Sequence, residues 1–215
     1  MNIPIQGISI SQTDKVIHIQ SEEPLVTLSS AIIGGGFRRM RHILNAHVDE
    51  NFNFPNPKNW LRSLATTMDI HESFIGLMTA VKLSKARITF LESDGLGVGA
   101  LVTAGVRNAS AAGITPPFLS KPGTINIILL LEARLTHAAM LNAVITLTET
   151  KTAVLMEKNT LTPARDPATG TSTDTVTIAA TNHGALQAYA GPVTTIGWLI
   201  ARAVRESLQQ SLDAE

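Results

Sequence analysis

The chain opens in short runs where apolar and polar residues alternate, the period-two pattern of half-buried strands. Residues 7–10, 15–20 and 25–28 are such runs, punctuated by Thr13-Asp14 and Glu22-Glu23-Pro24. A glycine triplet, Gly34-Gly35-Gly36, follows, and residues 37–48 after it read as a short helix or a strand. An Asn- and Pro-rich loop spans 51–57. Pro57 opens a predicted helix to Met68, with Trp60, Leu61 and Leu64 on one stripe. Residues 75–81 read as strand or short helix, and 87–91, 97–106 and 124–131 as strands. The last run is apolar on both faces and is expected at the centre of a sheet. Loops are predicted at 110–122 and 160–170, and a strand at 174–180.

The clearest helix is the last. Pro192 sits at its expected first position, and Ile196, Leu199, Ile200, Ala203, Val204 and Leu208 recur at helical spacing. Residues 142–158 carry two patterns. Ile145-Thr146-Leu147-Thr148 alternates as a strand would. Wound as a helix, Asn142, Thr146, Glu149 and Ala153 form a polar row, while Lys151 falls among Val144, Leu147, Val154 and Leu155. Length and the flanking Ala138-Ala139-Met140-Leu141 predict the helix. Strands and helices come in runs, which predicts an α+β fold of mixed α/β layers. The expectation is a β-sheet core with packed helices and a long C-terminal helix, in a single domain over 1–215.

Composition narrows the function. Of 215 residues, 44% are hydrophobic and 16% charged, against roughly 25% charged in ordinary globular chains, which excludes disorder. Lys+Arg and Asp+Glu each number 17, so no net charge draws the chain to nucleic acid or an anionic membrane. With no cysteine there is no disulfide framework, zinc ribbon or thiol nucleophile. No apolar run reaches the roughly 20 residues of a bilayer span, and no secretory pattern begins the chain. A soluble, cytoplasmic protein is expected. No nucleic acid or membrane is expected as a partner, and a homo-oligomer stays open.

Three places carry candidate chemistry. Lys151, on an apolar helical face, must pair, snorkel or lose its proton; Glu149 and Asn142 lie on the polar row nearby. Gly170-Thr171-Ser172-Thr173-Asp174-Thr175 is a turn whose N–H groups and hydroxyls suit an oxyanion, or is a plain surface turn capped by Asp174. The glycine triplet permits close approach of a ligand or simply turns the chain; no lysine follows at phosphate-loop spacing. Asn45 and His47 come shortly after it. The histidines show no metal-ligand spacing, and no metal site is expected.

These segments form an ordered series: Leu28-Ser-Ser-Ala-Ile-Ile-Gly-Gly-Gly, Ile43-Leu-Asn-Ala-His-Val, Gly76-Leu-Met-Thr-Ala-Val, Gly105-Val-Arg-Asn-Ala and Gly123-Thr-Ile-Asn-Ile. Leu141-Asn-Ala-Val-Ile-Thr, Thr148-Glu-Thr-Lys-Thr-Ala, Gly170-Thr-Ser-Thr-Asp-Thr and Tyr189-Ala-Gly-Pro complete it. The series resembles the adenosylcobinamide amidohydrolase family of the CbiZ type. It covers residues 28–205 as a family-like core, with 1–27 as N-terminal strands ahead of it. A longer insert at 159–168 departs from the family pattern. The helix and Thr-Asp turn are also similar to the amidases and ornithine acetyltransferases with an internal Thr or Ser nucleophile.

The resemblance implies hydrolysis of the amide between the corrin ring and aminopropanol in adenosylcobinamide, during corrinoid salvage. It implies no cofactor of the protein's own, since the cobalt belongs to the corrinoid substrate. Amide cleavage needs a nucleophile, a proton for the leaving amine and donors for the oxyanion. The expected catalytic set is Glu149 or Asp174 activating water or a Thr hydroxyl, Lys151 protonating the amine, and Asn126 with the 171–173 turn stabilising the oxyanion. Gly34, Gly35, Gly36, Asn45, His47, Thr79, Asn108, Thr124, Asn142, Thr171 and Thr173 are the expected substrate-binding residues. A non-catalytic corrinoid-binding protein, or an amidase or acyltransferase on another substrate, are the competing readings.

Overall fold

The computed structural model describes residues 1–49, 51–117 and 123–214; the 118–122 part of the predicted loop lies outside them. The elements are β1 (Ile8–Gln12), β2 (Val16–Ser29), β3 (Gly36–His47), α1 (Pro57–Thr67), β4 (Phe74–Thr79), β5 (Arg87–Ser93), β6 (Leu96–Ala104) and β7 (Ala109–Ser110). They continue as β8 (Ile125–Glu132), β9 (Arg134–Leu135), α2 (His137–Glu157), β10 (Gly170–Thr171), β11 (Thr175–Ala180), β12 (Leu186–Gln187) and α3 (Thr195–Asp213). The expected α+β architecture, with a sheet core and a long C-terminal helix, is what forms.

The main sheet is mixed, in the order β4-β3-β2-β11-β8-β6-β5, with β1 paired to β2. β3 runs parallel to β4, and β8 to β11; the other pairs are antiparallel. β8 lies inside the sheet, as its two apolar faces require, and its residues 125–131 are fully buried.

β2 changes partners halfway along. Its first half pairs with β1 and its last residues with β11. Between them, Ser21-Glu22-Glu23-Pro24 oppose the single Arg41 of β3, because the partners step from Gln20↔His42 to Leu25↔Met40. Pro24 has no N–H for the ladder, and extra residues on one strand bend it. The acidic-Pro punctuation expected to separate two strands is therefore a bulge within one. The bend lays the β1–β4 half of the sheet over the β5–β11 half. Ile17, Ile43 and Leu77 of one half share an apolar interior with Leu101, Ile128 and Leu130 of the other.

Helices cover the outer faces. α2 and α3 pack on β6, β8 and β11 through Leu147, Val154, Leu199 and Val204. α1 packs Leu61 and Ala65 on Leu44 and Ala46 of β3. Each helix begins on a side-chain cap: Asn56 accepts from Asn59 N, Thr136 from Ala139 N and Thr194 from Gly197 N. Pro57 stands at the start of α1, as expected. Pro192 does not open α3, because Thr194 takes the cap two residues later. Residues 37–48, read as helix or strand, form β3. Residues 1–27 are part of the core, with Ile3 and Ile5 buried in the shared interior.

His18 of β2 and His42 of β3 stack beside the bend, Nε2 of one 3.0 Å from Nδ1 of the other. Burial first, and the neighbouring His42 second, lower the pKa of His18 from its ordinary value. Among the described residues, no helix is long and apolar enough to cross a membrane.

Candidate active site

The bend brings distant polar residues together. Asn45, near the end of β3, and Asn126, at the start of β8, are both fully buried. Asn126 Nδ2 donates to Asn45 Oδ1 and to Met78 O, each at 2.9 Å. Asn45 Nδ2 donates to Thr103 Oγ1 at 3.0 Å, and Thr124 Oγ1 lies 3.2 Å from Asn126 Oδ1 and 2.8 Å from Thr173 O. This relay closes the mouth of the folded sheet. Buried polar groups must be paired to be tolerated, and these pair across the two halves.

Next to it, the turn between β10 and β11 is pinned by one carboxylate. Asp174 Oδ2 pairs with Lys151 Nζ from α2 and accepts Thr171 N at 3.1 Å. Its Oδ1 accepts Ile125 N at 3.1 Å and the Thr171 hydroxyl. Both charged side chains are mostly buried, 12% and 14% exposed. Four donors hold Asp174, so it ties α2, the turn and the start of β8 together. A Cβ at Gly170 would lie 2.6 Å from Asp174 Oδ2 and 2.7 Å from Lys151 Nζ. Only glycine admits the ion pair there.

A cleft of about 710 Å³ opens beside the relay. Thr79, Thr124, Thr173 and Thr175 give it hydroxyls, and Ile32, Leu77 and Met78 give it apolar walls. Among the described lining residues, Asp49 is the one charged side chain, and it is exposed. Thr79 Oγ1 accepts Val81 N at 3.1 Å, which leaves its proton to donate. His47 donates from Nδ1 to Val81 O at 3.1 Å, holding the same turn.

The sequence-derived candidates divide accordingly. Thr79, Thr124 and Thr173 border the cleft; Asn45, Asn126, His47, Lys151, Thr171 and Asp174 stand behind it as its support. Asn126 was expected to stabilise an oxyanion, yet both its amide hydrogens are engaged by Asn45 and Met78. Lys151 was expected to give up a proton, but it is held by Asp174 and does not line the cleft. Glu149 is exposed, two residues from Lys151 and so about 200° round α2; it does not join the cluster. Asn142 is half-buried on α2, likewise outside the cleft lining. Gly34 and Gly35 border a separate groove of about 610 Å³ with Arg38 and Arg62, and Gly36 begins β3. Asn108 lies behind Gly123, bordering another pocket. Asp49 was not among the candidates. Its only signal was position, directly after Ile43-Leu-Asn-Ala-His-Val.

Comparison with known proteins fits this arrangement to a family. The family model for adenosylcobinamide amidohydrolase matches residues 2–215. An adenosylcobinamide amidohydrolase of Methanosarcina mazei is 36% identical over 84% of this chain and 87% of its own length. One of Halobacterium salinarum is 32% identical over 64% of this chain and 58% of its own. The solved PH0078 protein of Pyrococcus horikoshii OT3 superposes with a TM-score of 0.47 at 14% identity, covering 96% of this chain and 83% of that one. Matched along nearly its whole length, the chain belongs to the adenosylcobinamide amidohydrolase family.

Proposed function

We propose that this protein hydrolyses adenosylcobinamide at the amide joining the corrin side arm to aminopropanol, releasing adenosylcobyric acid and 1-aminopropan-2-ol for corrinoid salvage. The observation that carries the reading is the family match over residues 2–215. The cleft agrees with it. Hydroxyls and backbone groups suit a large, amide-bearing substrate, and the volume admits the arm and the ring edge beside it.

In this reading Asp49 takes a proton from a water that attacks the carbonyl carbon. The Thr79 hydroxyl and the Thr173 N–H, which donates to no described group, face the oxyanion. The C–N bond breaks as Asp49 returns the proton to the leaving amine, so one water is consumed and a carboxyl is formed. Lys151 and Asp174 are positioning residues: they fix the 170–174 turn that carries Thr173. Cobalt enters with the substrate, and the step uses no cofactor of the protein's own.

Incubation with adenosylcobinamide, followed by mass spectrometry, tests this. One free 1-aminopropan-2-ol per new corrin carboxylate is expected. A change in the corrin spectrum without product would make the protein a corrinoid binder. Equal cleavage of small amides would make it a general amidase.

A further inference from the structure

Behind Gly123 lies a second pocket, of about 380 Å³, that the cleft chemistry does not use. One wall comes from residues 107–116 and the other from 162–166, inside the 159–168 insert that departs from the family pattern. Ile114, Pro116 and Pro163 make its sides apolar. Thr115 and Thr162 also border it. Their hydroxyl oxygens accept from Ala111 N at 2.8 Å and Asp166 N at 3.1 Å, so each keeps its own proton to donate.

Asn108 supplies the opposite polarity. It is 2% exposed. Its Nδ2 donates to Gly123 O at 2.8 Å, which fixes the orientation of the amide, and lies 2.7 Å from Ser172 Oγ. Oδ1 is left as a buried acceptor with no partner among the described residues. Buried acceptors are paired in the great majority of cases, so an orphan calls for a ligand that brings the donor. The wall towards the cleft is thin. A Cβ on Gly123 would lie 2.3 Å from Asn108 Oδ1, and Gly123 itself lines the cleft.

We infer that this pocket takes a purine nucleoside by its adenine ring, and that on the substrate it receives the adenosyl group. The exocyclic amine donates to Asn108 Oδ1. Ring nitrogens accept from the Thr115 and Thr162 hydroxyls, and the ring faces meet Ile114, Pro116 and Pro163. The volume is that of a small-molecule site, where a single carboxamide arm would leave most of the space empty. The choice of nucleoside rests on the corrinoid reading of the cleft.

Titration calorimetry of the whole chain with free adenosine and free inosine tests the pocket. Inosine carries a carbonyl where adenosine carries the amine, and so presents an acceptor to Asn108 Oδ1. Adenosine is expected to bind at least tenfold more tightly than inosine. I114W, which places a larger ring from a position 61% exposed, is expected to lose adenosine binding while keeping the wild-type circular-dichroism melt. Equal affinity for the two nucleosides, or no adenosine binding at millimolar concentration, overturns the inference. Should I114W not fold, the nucleoside ratio on the wild-type chain decides alone. Calorimetry needs no turnover. Hydrolysis without adenosine binding would overturn the pocket and spare the cleft; adenosine binding without hydrolysis would do the reverse.

Discussion

Lys151 and Asp174 meet across 23 positions of sequence, and the pair sits against the bare Cα of Gly170. It fastens α2 to the turn that carries Thr173 into the cleft. Removing one partner of a mostly buried pair strands the other. K151M is therefore expected to cost about 3 kcal/mol, which in a chain of this size lowers Tm by about 10 °C. Thermal melts followed by circular dichroism check this. A melt within about 2 °C of wild type would show that the pair pins nothing.

The Asn45–Asn126 bond joins the two halves of the folded sheet, 81 residues apart. Each truncation to alanine leaves buried partners unsatisfied, at about 1–3 kcal/mol apiece. Because they share one network, N45A and N126A should be non-additive by about 0.5 kcal/mol or more in a double-mutant cycle. Denaturant titrations of the four proteins measure the coupling. Strict additivity would mean that the relay does not act as a unit.

His18 gives the fold a pH dependence of known sign. Its folded pKa lies below the ordinary 6.5, so the unfolded chain binds more protons as pH falls through that range. Stability is expected to be full above pH 6.5 and to decline below it. Melts from pH 8 to pH 5 should show the fall, and H18Q should flatten it. A Tm that rises on acidification would reverse the assigned cause.

Much of this fold was legible because it rests on local patterning. The strand runs, the central position of β8, the Pro57 start of α1 and the apolar stripe of α3 all follow from spacing that neighbouring residues enforce. The unread parts depend on partners far away. Residues 37–48 carry Arg38, Arg39 and Arg41 beside apolar residues, a mixture that settles into a strand only when β2 and β4 flank it. Glu22-Glu23-Pro24 looked like a boundary because a bulge and a turn use the same residues. Thr-rich α2 resolved as a helix through length, against the β-branched pattern of 145–150.

The site was legible in part for the same reason. Lys151 drew attention as a charge on an apolar face, and Asp174 as the acid of a Gly-Thr turn, but spacing could not pair them. Glu149 was attractive only through its place on the polar row, which faces away. Asp49 sits in an irregular segment after β3, where no periodicity marks it, and only the folded cleft singles it out.

The central claim is that chemistry occurs in the cleft and that Asp49 performs the proton transfer. Steady-state hydrolysis of adenosylcobinamide by wild type, D49N and E149Q, with product quantified, tests it most directly. The account predicts that D49N loses about 100-fold or more in kcat with an unchanged melt, while E149Q stays within about twofold of wild type, as surface changes away from a site do. Near wild-type turnover by D49N, or a collapse of activity in E149Q, would contradict it.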